Sequence, residues 1–300
     1  MEGPQVGQPC GGPAQPRRAP PLQKGAALHR TQNGRQNANQ RERLSHPPGV
    51  THGVRPRTHW PWPGMATTVL VAVVWSAAAF AADSSCTFTQ VSAGNMYACG
   101  VRTDGSVVCW GVGPVGLRSP PEGTFTQVSA GGGHTCGVRT DGRVVCWGDN
   151  SDGQASPPEG TFTQVSAGGG HTCGVRTDGR VVCWGDNSAG QASPPEGAFT
   201  QVSAGGGHTC GVRTDGRPVC WGASFSGVSS PPEGAFTQVS AGLFHTCGVR
   251  TDGRVVCWGY NLYGQAAPPE GAFMQVSASV AHTCGVRTDG SVVCWGDNSA

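Results

Sequence analysis

Five histidines recur at one position of a 37-residue spacing: His134, His171, His208, His245 and His282, with Tyr97 one step earlier in the same register. Imidazoles at a fixed interval invite a metal reading, because neutral imidazole is a common zinc ligand. Two ligands of one zinc ion must lie within about 4 Å, whereas equivalent positions in stacked sheets are about 10 Å apart. The series therefore reads as structural histidines bonding a nearby loop. Six cysteine pairs keep the same interval: Cys99 and Cys109, Cys136 and Cys146, Cys173 and Cys183, Cys210 and Cys220, Cys247 and Cys257, Cys284 and Cys294. Nine residues separate the members of each pair, which is not a zinc-ribbon spacing. What remains is a disulfide in each repeat or a pair of buried thiols. Asp149-Asn150-Ser151-Asp152-Gly153 has the outline of a calcium loop, but Ser151 and Gly153 stand where carboxylates are needed. No Ser, His and Asp set departs from the repeated template, and no glycine-rich loop opens a helix to cradle phosphate. No catalytic residue, metal ligand or cofactor is assigned, and a hydrolase or lyase is kept only as an alternative.

The elements that must position these residues are copies of one unit. FTQVSAG begins at Phe88, and the block restarts with small changes at Phe125, Phe162, Phe199, Phe236 and Phe273. Such a period signals a solenoid, a propeller or an array. In the copy at 125–161, FTQVSA, HTCGVR and RVVCW read as strands, and Thr140-Asp141-Gly142 joins the last two. A three-residue hairpin loop with Gly last is a type I turn with a G1 bulge. That turn also accounts for the aspartate. The resulting register sets Val138 opposite Val144 and Cys136 opposite Cys146. Cα atoms facing each other in a non-hydrogen-bonded pair sit about 4.5 Å apart, within reach of a disulfide. Val138, Val144 and the cysteines share one face, while Val145 and Trp147 occupy the other, so the sheet is apolar on both sides. The recurring tryptophans, Trp147 among them, read as packing residues between blades. The fold expected is all-β: a propeller of six visible repeats with three-stranded blades. Pro218, in place of valine, puts the third strand at the outer edge.

CWGDNSDGQ at 146–154, preceded by SAGGGHTCGVRTDG, resembles the repeat of the regulator of chromosome condensation family. The likeness covers about 88–300 and implies a β-propeller, usually of seven blades. The short unit is similar to secreted bacterial members, among them the propeller that inhibits β-lactamases. The paired cysteines resemble those in the extracellular propeller of Crinkly-type receptor kinases. Guanine-nucleotide exchange or chromatin-associated regulation, the founding activity, is an alternative implied by the resemblance. It calls for a nuclear location, and the strict spacing leaves no inserted element to engage a GTPase. Six copies, the last ending inside a loop, set the expectation that the chain is the front portion of a longer propeller.

Composition excludes a mostly helical fold, because 49 Gly and 23 Pro are poor helix residues. Residues 1–64 carry a net charge of +7 and lack periodic apolar positions, so they read as a disordered Arg/Pro-rich segment or as an upstream stretch before a start at Met65. An Arg-rich arm for nucleic acid or a targeting sequence is the other reading of that segment. Residues 65–300 carry −5, which argues against a nucleic-acid partner for the folded part. VLVAVVWSAAAFAA at 69–82 has the length of a signal-peptide apolar region and is too short for a stable membrane span, though a buried or anchoring helix is also open. Ala79-Phe80-Ala81 is a small-residue cleavage site, giving 65–81 as the signal and 82–300 as the mature propeller, secreted or periplasmic. Cleavage would part Cys10 from Cys86 and leave the latter odd.

Differences among near-identical copies must supply any specificity. They cluster after the first strand, at Asn95-Met96-Tyr97, Leu243-Phe244 and 279–281, and after the third, at 112–117, 223–228 and 260–263. Strand direction brings both loops to one face. Phe225, Leu243, Phe244, Tyr260, Leu262 and Tyr263 belong to adjacent copies and are expected to form one patch for a protein or surface ligand, with Met96 and Tyr97 a separate contact. Drift in recently copied loops is the alternative.

Overall fold

The computed structural model describes residues 87–298, apart from residue 114. The segments 1–64 and 65–81, with Cys10 and Cys86, lie outside the described residues. Six antiparallel sheets of three strands follow one another along the chain, so the expected fold class holds. In the second blade the inner strand is Phe125–Ala130, the middle His134–Arg139 and the outer Val144–Gly148. The inner strands of the other blades are Phe88–Ala93, Phe162–Ala167, Phe199–Ala204, Phe236–Ala241 and Phe273–Ala278. No helix among the described residues is long and apolar enough to cross a membrane.

The Thr-Asp-Gly turn sets the register of each hairpin. Gly142 adopts φ +82°, its N–H donates to the Arg139 carbonyl at 2.9 Å, and the Asp141 carboxylate accepts the Arg143 N–H at 2.9 Å. Val138 then pairs with Val144 and Cys136 with Cys146. All six expected disulfides form, with Cα separations of 4.0 to 4.1 Å. So close an approach marks the cysteines as a non-hydrogen-bonded pair. Two residues on, Val212 opposite Pro218 is the same kind of pair, so the proline nitrogen points away from the hairpin and no ladder bond is lost. Between inner and middle strands a bulge at Phe125 and Gln127 turns the phenyl ring under Arg139, 5.4 Å from the guanidinium, and edge-on to Trp147 at 6.3 Å.

Blades stack face against opposite face. Cys136, Val138 and Val144 of blade 2 pack on Phe162 and Val165 of blade 3, with Val182 and Trp184 beside them, and the next joints repeat this. Each fully buried Val or Phe contributes about 1.5–3 kcal/mol, so the joints carry much of the stability. The two terminal faces differ. Phe88 and Val91 are 40% and 62% exposed, against 2% and 0% for Phe125 and Val128 one repeat later. Val292 is 65% exposed at the other end. Among the described residues no blade covers these two faces.

Candidate functional site

Side-chain hydrogen bonds lock each joint and thereby fix the loops above it. Gln127 clamps the next inner strand, donating to the Val165 carbonyl and accepting the Val165 N–H, both at 2.8 Å. Gln90, Gln164, Gln201 and Gln238 do the same at the other joints. The histidines do not bond their own loop, as the sequence suggested. Each reaches into the following blade: Nε2 of His134 lies 2.6 Å from the Thr172 hydroxyl, and His171, His208 and His245 meet Thr209, Thr246 and Thr283. Thr172 donates its proton to the Gln154 carbonyl, so Nε2 is the donor to threonine and Nδ1 is left a bare acceptor. Nδ1 of these four rings is buried with no partner. Burial pushes each imidazole down to about 4, so all four are neutral at pH 7. Tyr97 fills the same place in blade 1, bonding the His134 carbonyl at 2.7 Å and the Thr135 hydroxyl at 2.9 Å. It is 4% exposed, so the surface contact expected of it falls to Met96 alone, which is 70% exposed.

Around the axis the turns after the inner strands are tied in series. Asn95, Gly132, Gly169, Gly206 and Leu243 donate N–H to the carbonyls of Gly131, Gly168, Gly205, Gly242 and Ser279, at 3.0 to 3.1 Å. A Cβ on Gly168 would meet the Gly205 oxygen at 2.5 Å, which explains the small residue there. These turns surround a cavity of about 760 Å³, walled by alanines such as Ala130 and Ala167, with Met96, Leu243 and Val280 at its loop end.

The loops after the outer strands join the same face. The N–H groups of Asp149, Asp186, Ala223, Tyr260 and Asp297 donate to Gly133, Gly170, Gly207, Phe244 and Ala281, which places the five at equivalent positions. On that face four rings form a row. Phe225 meets Phe244 at 5.1 Å, Phe244 meets Tyr260 at 6.3 Å and Tyr260 meets Tyr263 at 6.4 Å, all edge to face. Phe225, Phe244, Leu262 and Tyr263 are exposed, while Leu243 and Tyr260 are half-buried. The six expected anchors thus fall on one face, and four of them are in ring contact across blades 4 and 5. Met96 and Ser226, at φ +67° and +53°, are the non-glycine residues in the left-handed region among those described, and both lie in these loops. Held strain of this kind clusters at binding and catalytic sites.

Charge separates the two faces. Among the described residues, Asp149, Asp152, Asp186 and Asp297 stand on the loop face with Arg118 the one cation there, whereas the ion pairs, Arg143–Asp141 and its three counterparts, lie at the opposite turns. The Asp149 carboxylate accepts the Ser151 N–H at 3.1 Å and the Gln154 amide at 3.0 Å, so it acts as a turn residue. Asp186 is held below the usual carboxylate value, first by the Ser188 N–H and then by its hydroxyl. Sequence reading missed the glutamine clamps and this asymmetry. The unvarying Gln of FTQVSA was the available signal for the first.

Fold and joints define a class: a β-propeller of three-stranded blades, each stapled by one disulfide. Residues 125–154, 162–191, 199–228, 236–265 and 275–300 match the Regulator of chromosome condensation (RCC1) repeat. The Crinkly ectodomain of the Arabidopsis thaliana receptor kinase ACR4 is 31% identical over 70% of this chain and 79% of that one, with a TM-score of 0.60. The ectodomain of the Physcomitrella patens receptor kinase CR4 is 29% identical over 71% of this chain, with a TM-score of 0.63. The chain spans 65% of that ectodomain's length. Prp20p of Saccharomyces cerevisiae is similar in fold, at 15% identity over 69% of this chain and 71% of that one, with a TM-score of 0.61. No curated protein sequence matches. The chain belongs to the RCC1 repeat family.

Proposed function

We propose that the chain is a secreted propeller that binds another protein or a surface ligand through its loop face. The row Phe225, Phe244, Tyr260 and Tyr263 carries this reading, because exposed, mutually packed aromatics on a rigid scaffold are what interfaces use as anchors. Six disulfides in one domain favour an oxidising compartment over the reducing nuclear interior that nucleotide exchange requires. Two of the similar structures are receptor-kinase ectodomains, and the Prp20p study concerns its binding to Gsp1p and histones, so binding is a role this fold serves elsewhere. The test replaces Phe244 and Tyr260 by the Gly and Asp that blade 2 carries at Gly133 and Asp149, a pair the template already tolerates. Used as bait in the native extracellular medium, the variant should lose the partners that the unaltered chain recovers. Equal recovery would reduce the row to loop drift, and finding the intact chain in the nucleus with reduced thiols would overturn the location.

A further inference from the structure

We infer that the loop face takes a basic peptide segment, its Lys or Arg side chains lying over the aromatic row and its apolar side chains meeting Leu243 at the mouth of the central cavity. This rests on the binding role proposed above and names its chemistry. Charge complementarity is the first ground. Asp186 in blade 3 holds the position that Tyr260 holds in blade 5, so a carboxylate stands on the blade next to the one that carries Phe225. Asp152 and Asp186 come from neighbouring blades yet converge: an Oδ2 of one and the Cβ of the other each lie 3.5 Å from where a Cβ on Gly170 would stand. Arg118 is the sole cation of this face among the described residues, and none of the four ion pairs is here. Asp141, Asp178, Asp215 and Asp252 of the opposite face are paired with arginines, whereas Asp149, Asp152 and Asp186 of the loop face are not.

Ring exposure is the second ground. Phe225, Phe244 and Tyr263 are 43%, 39% and 53% exposed, so each of these three rings is partly open to a partner. A guanidinium or ammonium within about 6 Å of a ring face is attracted by the ring quadrupole. The fold itself stacks Arg139 on Phe125 and Arg176 on Phe162 at 5.4 Å, so phenyl rings already hold guanidinium groups in this protein. Leu243 belongs both to the cavity lining and to the chain next to Phe244, which joins the apolar and the cation-accepting parts of the surface.

The probe is a fluorescein-labelled, amidated hexapeptide of alternating Leu and Arg, with Gln-for-Arg and Glu-for-Arg counterparts, titrated by fluorescence polarisation against the disulfide-bonded protein. The Arg peptide should bind at least about tenfold tighter than the Gln peptide, and raising salt from about 50 to 300 mM should narrow the difference. Asp152→Ala with Asp186→Ala copies residues that other blades carry at Ala189 and Ala223, with circular dichroism confirming the fold. That pair should weaken the Arg peptide by about threefold or more and leave the Gln peptide unchanged. Phe244→Gly with Tyr260→Ala, the small residues found at Gly133 and Ala223, removes the rings without adding charge and should weaken the Arg peptide by about fivefold or more, with circular dichroism confirming the fold. Equal binding of the Gln or Glu peptide, or no saturable binding of the Arg peptide, overturns the basic-segment inference. If the peptides fail while partner recovery still depends on Phe244 and Tyr260, the binding face stands and only its chemistry falls.

Discussion

Acid should open the blade joints before it protonates the turn carboxylates of Asp104, Asp186, Asp252 and Asp289. His134, His171, His208 and His245 are neutral in the fold because burial holds them at about 4, against an ordinary value of 6.5 in the unfolded chain. A group depressed on folding contributes stability that is fully present above its unfolded value and is lost as the pH falls toward its folded value. The window therefore runs from pH 6.5 down to 4. At pH 5 the loss comes to about 2 kcal/mol for each imidazole, or about 8 kcal/mol for four acting independently. A domain is stable by about 5–15 kcal/mol in all, so the propeller should unfold cooperatively above pH 4. Asp104, Asp186, Asp252 and Asp289 are held below 3.8 by hydrogen bonds in their turns, so their contributions are lost only at lower pH. The assay is urea unfolding at pH 7 and pH 5, followed by tryptophan fluorescence with disulfides intact. His171→Tyr with His208→Tyr copies the Tyr97 arrangement of blade 1 and should recover about half of the pH 5 loss. A stability at pH 5 within about 1 kcal/mol of that at pH 7 would refute the claim that these rings stay buried and neutral.

Other outcomes follow from the joints and hairpins. Gln164→Leu removes both bonds to the Val202 backbone without changing an exposed surface, and should cost about 2–4 kcal/mol in chemical unfolding. A loss below about 0.5 kcal/mol would show that water replaces the clamp. Replacing Cys173 and Cys183 together by Ser should cost about 2–3 kcal/mol, since the bond closes a short loop. Non-reducing peptide maps should show every linkage within one hairpin, and a linkage between repeats would contradict the register.

Hairpin register and disulfides were legible because the Thr-Asp-Gly turn is local: its glycine and aspartate determine which residues face one another. The joint chemistry was not legible, because each histidine finds its threonine in the next copy, at a separation of 38 residues, while its own copy carries an identical threonine beside it. Tyr97 looked like surface variation for a related reason. A phenol hydroxyl can satisfy the same threonine as an imidazole, so a change of residue type concealed an unchanged role. The aromatic row could be read as a patch because each ring departs from a small or polar residue of the template. Its charge surroundings could not, since the repeat alone does not tell which aspartates are answered by an arginine.

Hydroxyl-radical footprinting of the chain bound to a partner recovered with it tests the central claim most directly. The account predicts protection of Phe225, Phe244, Tyr260, Leu262 and Tyr263, with the Thr-Asp-Gly turns of the opposite face, such as 140–142, as reactive as in the free protein. Protection confined to those turns, or to the outer strands, with the aromatic row still fully reactive, would contradict it.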